Sequence, residues 1–153
     1  MGILPDRRSE AIDRAFKATT ELLAPLGFEK GESCVWSRQS RWKLEVVDLL
    51  LRRDDTEMLP SLRVGLPAID AYLAQINVSR LLTERATHTD IPWFGPKIGA
   101  FVAGLVDDLR AALPWFDQFS TPALFMENLS RYQKPESPLY VEAMDYLSSL
   151  RVG

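Results

Sequence analysis

The side chains best suited to chemistry in this chain are Cys34, Asp48 and His88. His88 is the only histidine and lies in THTDIPWF, with Asp90 two residues on. A histidine held by a carboxylate can act as a general base. No G-x-S-x-G or Cys–His arrangement supplies it with a nucleophile, so an ordinary loop or edge-strand histidine is the plainer reading. Structural zinc needs several His or Cys ligands, and the chain has one of each. No metal or other cofactor is expected. Asp48 interrupts an apolar strand pattern. A carboxylate placed there must be paired, hydrogen-bonded or protonated, because burying it bare costs several kcal/mol. Chemically it is an acid or base candidate at a pocket. Structurally it is one half of an ion pair with Arg63 or Arg38, or a residue turned to water by a bulge. Asp54-Asp55 and Asp107-Asp108 read as solvated charge, since neither has EF-hand spacing and helix neighbours do not face one another. Gly95, Gly99 and Gly104 match no phosphate-binding loop.

A second candidate site is aromatic. Pro-Trp-Phe occurs twice, at Pro92–Phe94 and Pro114–Phe116, on either side of a helical segment. Each copy can wedge a helix end against the core. Alternatively, Trp93 or Trp115 stays open as an anchor for a partner, since Trp and Arg dominate binding hot spots. Arg38, Arg41, Lys43 and Arg63 are expected to add a mixed-charge sheet surface, which also serves simple solubility.

Composition narrows the classes. The 153 residues are 46% hydrophobic and 25% charged, with a formal net charge of −3. That suits one globular domain, 1–153, able to bury about 70% of its unfolded surface. No basic block is present, so nucleic-acid binding is not expected. A lone Cys34, no apolar run in MGILPDRRSE of signal-peptide length and no membrane-spanning stretch lead to the expectation of a cytoplasmic protein.

The elements that must position these residues change rhythm near Pro25. Ser9 to Ala24 has helical periodicity, with Ser9 as N-cap, and Pro25 with Gly27 ends it. A hairpin follows around Lys30-Gly31-Glu32, with Gly31 expected at positive φ. Strands are expected at Cys34–Ser40, Trp42–Leu51 and Leu62–Leu66. In the longest, Trp42, Leu44, Val46, Asp48 and Leu50 form one face, apolar except for Asp48, and Lys43, Glu45, Val47, Leu49 and Leu51 the other. Pro67 to Asn77 reads as helix from Ile69, Tyr72, Leu73 and Ile76. Pro96 to Leu113, a start at Ser120-Thr121-Pro122 and another at Ser137-Pro138 complete a helical second half. Strands early and helices late predict an α+β fold: an N-terminal helix, an antiparallel sheet of about four strands, then helices on one face.

LLAPLGFEK after a helix containing Phe16, then VWSR, WKLEVVDLLLR, LPSLRVGL and LPWFDQFST, resembles the bacterial domain of unknown function 4304 family. The resemblance covers most of the chain through packing and turn residues and implies the same α+β fold. It differs around Arg85–Asp90, where many members have a more evident strand. It implies no activity and no catalytic residues. The functional expectation is therefore a non-enzymatic module that binds another protein, one form being an inhibitor or immunity-type protein. Its contact residues are drawn from Trp93, Trp115, Arg38, Arg41, Arg63 and Asp48. The alternative is a small-ligand binder or enzyme with a sheet–helix cleft around Asp48. A homodimer through an edge strand is a third possibility.

Overall fold

The computed structural model describes residues 5–82 and 90–152. Helix α1 (Arg8–Leu23) buries Ala11, Ala15, Thr19 and Leu23, a four-residue spacing that keeps one stripe on the core. The expected Ser9 cap does not form: the helix begins at Arg8, its N-cap Arg7 makes no side-chain cap bond, and the Asp6 carboxylate before it accepts from the Arg8 N–H. It closes through a 3-10 turn, Ala24–Leu26, into Gly27 at φ 93, a left-handed conformation that a Cβ disfavours.

Five strands follow: β1 (Glu29–Lys30), β2 (Val35–Gln39), β3 (Leu44–Arg52), β4 (Glu57–Leu66) and β5 (Ala71–Asn77). They pair antiparallel in sequence order. In the first turn Ser33, at φ 56, takes the left-handed position expected of Gly31. Pro60 is tolerated inside β4 for a specific reason. It lies opposite Leu49, whose N–H donates to Cys34 on the β2 side, so this pair exchanges no hydrogen bond. On its other side β5 has already ended at the Ser61–Asn77 pair, and no ladder donor is missed.

The fifth strand corrects the helical reading of Pro67–Asn77. Only Pro67–Ile69 is helical, as a 3-10 turn ending in Asp70 at φ 49. The register then shifts between Val64 and Gly65, leaving Leu73 and Ala74, adjacent in sequence, both buried. A bulge that breaks the two-residue alternation imitates the spacing of a helix.

After β5 come α2 (Val78–Leu81), α3 (Ile98–Ala112), α4 (Pro122–Asn128) and α5 (Pro138–Val152). Two of the expected starts hold as caps. Thr121 Oγ1 accepts from the Leu124 N–H and Ser137 Oγ from the Tyr140 N–H. Ile98, Phe101, Leu105 and Leu109 form the buried stripe of α3.

Which face of β3 is buried is also a correction. Cross-strand neighbours Trp36, Val47 and Leu62 join the core with Leu49, Met58 and Val64, and α1 packs here through Phe16 and Trp36 at 5.7 Å. The face holding Val46, Asp48 and Leu50 lies opposite. Val46 is buried yet stands outside the core cluster, between Ser37 and Arg63. The helices therefore cover one side of the sheet, and Leu50, Tyr72, Gln75 and Asn77 on or beside the other are exposed. No described helix is long and apolar enough to cross a membrane.

Candidate functional site

Two arginines organise the two sheet faces, and both use carboxylates from β3. On the uncovered face, Arg63 Nη2 donates to Asp48 Oδ2 at 3.2 Å, in a row that runs from Cys34 to Arg63. The guanidinium carbon of Arg63 lies 4.5 Å from the centroid of the Tyr72 ring, a cation–π stack. Tyr72 is 45% exposed, so its ring is open to solvent around the stacked arginine. Arg63 Nε is buried without an acceptor among the described residues. Cys34 Sγ approaches Asp48 Oδ1 at 3.6 Å. Burial pushes the Cys34 thiol above its ordinary value, and the neighbouring Asp48 charge adds to that. Such a thiol is held protonated, the reverse of an activated nucleophile.

Asp48 thus stands where an acid or base candidate was expected, but as the carboxylate of an ion pair. It is on neither a sheet–helix cleft nor the core side of β3. The strand alternation that made Trp42–Leu50 look like the buried face carried no information about which side the helices would cover.

On the covered face, Arg38 Nε donates to Glu45 Oε1 at 2.9 Å and Nη1 to the Leu26 carbonyl at 2.8 Å. Its guanidinium carbon lies 4.5 Å from the Phe28 ring centroid. Lys43 is 7% exposed and Glu45 5%. Lys43 Nζ donates to the Phe119 carbonyl at 2.9 Å and stands 3.8 Å from Glu45 Oε2. Burial lowers the Lys43 pKa, while the Glu45 charge opposes that shift. The expected single surface of Arg38, Lys43 and Arg63 therefore does not exist. Alternation along paired strands sends Arg38 with Glu45 to one face and Arg63 to the other, and Lys43 is enclosed. Arg41 is exposed in the β2–β3 turn. The buried Lys43–Glu45 pair was missed in the sequence, although both share a face with Val47 and Leu49, which is the signal that was present.

The two Pro-Trp-Phe copies have different fates. Trp115 is 4% exposed, its ring edge-on to Phe116, Phe119 and Tyr132, with its indole N–H donated to the Tyr132 hydroxyl at 2.9 Å. It is a core residue with no open face. Trp93 is 44% exposed and tilted against Phe94. Its backbone carbonyl accepts from the Arg7 N–H, tying this segment to the start of α1. Trp93 borders an open groove of about 760 Å³ with Ile91, Phe94, Lys97 and Phe101. A smaller cleft of about 290 Å³ lies between Arg38 on β2 and the end of α3, with Phe28, Phe116, Arg110 and Asp117 among its walls. Asp48 and Arg63 line neither.

The remaining candidates are quickly placed. His88 lies outside the described residues, as does most of Arg85–Asp90. Asp54 and Asp55 sit at positive φ in the β3–β4 turn, and no group of three metal-ligating side chains occurs among the described residues. Asp107 meets Arg110 at 3.5 Å on the surface, whereas Asp108 is buried in α3. Comparison with family models, with curated proteins and with solved structures finds no match.

Proposed function

We propose that this chain is a non-enzymatic module that holds another protein against the uncovered face of its sheet, with Arg63 and Tyr72 at the centre of the contact. The observation that carries the reading is the Arg63–Tyr72 stack at 4.5 Å, with Tyr72 45% exposed, on a face that none of the described helices covers. Arginine and tyrosine are residue types that concentrate binding energy, and a pre-stacked pair loses little side-chain freedom on docking. Leu50, 48% exposed, gives the same face an apolar contact away from the charges. Asp48 neutralises Arg63 only through one nitrogen, so the partner expected is a protein patch that offers acceptors to the guanidinium and apolar surface to Tyr72 and Leu50. Regulation of that partner by occlusion, as an inhibitor or immunity-type protein does, is the form of the function this surface best suits. The resemblance to the domain of unknown function 4304 family bears on fold and leaves this reading unchanged.

The test is site-specific photo-crosslinking in the native host, with a photoreactive phenylalanine at Tyr72 and a control at Glu142 on α5. The expected result is one protein crosslinked from Tyr72 and not from Glu142. The purified pair should then bind, with affinity falling about tenfold or more for Tyr72→Ala, the loss expected of a hot-spot residue. Equal crosslinking from both positions, or only to a second copy of the chain, would overturn the proposal.

A further inference from the structure

The open groove beside Trp93 takes no part in the Arg63–Tyr72 face, and its lining indicates what fits it. Ile91, Trp93, Phe94 and Phe101 give it apolar walls around about 760 Å³. Its charges are one carboxylate, Asp90, and one ammonium, Lys97. These two do not pair with each other, and neither has another ion-pair partner among the described residues. The segment that carries the aromatic wall is held by backbone contacts from two sides. The Ile91 N–H donates to the Thr56 carbonyl at 2.9 Å and Asp90 bridges Glu57, while the Trp93 carbonyl accepts from the Arg7 N–H at 3.0 Å. Trp93, 44% exposed, therefore stands on a fixed backbone beside the hollow it borders. Such a patch is complementary to itself in two ways. It sets an exposed apolar ring beside an apolar hollow, and an unpaired anion beside an unpaired cation. A contact about a two-fold axis makes each of these matches twice.

We propose that this groove is where two copies of the chain meet about a two-fold axis. Trp93 of one protomer enters the groove of its partner, and Asp90 of each protomer faces Lys97 of the other. A different protein would have to reproduce both the ring-and-hollow match and the charge match, whereas a second copy carries both. Burial of the tryptophan supplies most of the affinity, and the two charge pairs set the orientation. The held backbone limits the ordering cost of docking. Arg63 and Tyr72 line no part of the groove, so this contact does not use the protein-docking face.

Sedimentation equilibrium of the full chain, from about 1 μM to about 1 mM, tests this. The expected result is a mass that rises toward twice the monomer's across that range. Trp93→Ala should weaken the dimer about tenfold or more. Asp90→Lys and Lys97→Asp should each do the same, by setting like charges against each other. An equimolar mixture of those two charge variants should recover dimer, because each chain then meets its opposite charge in the other. That recovery requires two copies of this chain joined through these two residues. Melting temperatures should hold in all three variants, since the three side chains are exposed. A chain that stays monomeric to about 1 mM would overturn the proposal. So would a dimer unaffected by Trp93→Ala, or a mixture of the charge variants that associates no better than either alone.

Discussion

Arg38 and Arg63 stand on opposite faces of one sheet, each stacked 4.5 Å from an aromatic ring and each bonded to a carboxylate of β3. The chemistry is nearly the same and the surroundings are not. Glu45 is enclosed beside an enclosed lysine while its partner Arg38 reaches the surface, whereas Arg63 and Asp48 are both partly exposed.

Removing Glu45 is expected to cost more than removing Asp48. Glu45→Ala strands Lys43 in the interior without its carboxylate and should destabilise by about 3 kcal/mol, as for a broken buried pair. Asp48→Ala should cost about 1 kcal/mol, because the Arg63 pair is partly solvated. Urea unfolding of the two variants checks the order, and a larger loss for Asp48→Ala would contradict it.

Lys43 gives a pH signature of known sign. Its folded pKa lies below the ordinary 10.5, with burial as the main cause and the Arg38 charge assisting, against Glu45 and Asp117. Between the lowered value and 10.5 the unfolded chain binds more protons, so this group makes stability rise with pH in that window. Cys34, raised above 9.0, acts in the opposite sense from 9.0 upward. The difference in unfolding free energy between wild type and Lys43→Met isolates the first effect. It should shift in favour of wild type as pH climbs toward 10.5, and a constant difference would show that Lys43 does not titrate differently on folding.

The two tryptophans of the repeated tripeptide should behave as opposites. Trp115→Ala empties an aromatic cluster and should cost about 3–5 kcal/mol. Trp93→Ala should change stability by less than about 1 kcal/mol. Acrylamide quenching supplies an independent check: Trp93→Phe should remove most of the readily quenched fluorescence, whereas Trp115→Phe should remove little.

Glycines test the bulge between β4 and β5. A Cβ at Gly65 would sit 2.6 Å from the Ala71 carbonyl oxygen, so Gly65→Ala should cost about 1–3 kcal/mol. Gly104, inside α3, has no atom within 4 Å of its imagined Cβ, and Gly104→Ala should stabilise by about 0.5–1 kcal/mol. Thermal unfolding of both variants reads the two signs directly.

Local physics in the chain already determined the first helix and its glycine end, strands β2 and β3 and the Leu62–Leu66 half of β4, and the capped starts at Thr121 and Ser137. Each depends on side-chain periodicity or on a hydrogen bond within a few residues, and both are properties of a short segment. The strand β5 was hidden because its bulge, created by pairing with β4, erased the alternation that marks a strand. The site residues show the same division. That Asp48 needs a partner follows from its charge among apolar neighbours, and Arg63 was among the named candidates. Which face of β3 the helices cover follows from no segment alone, since Val46 and Val47 are equally apolar. That choice is made by packing between distant elements, through contacts such as Phe16 with Trp36 and Lys43 with Phe119. Only the tertiary structure could therefore bury Lys43 and Trp115 and leave Tyr72 and Trp93 exposed.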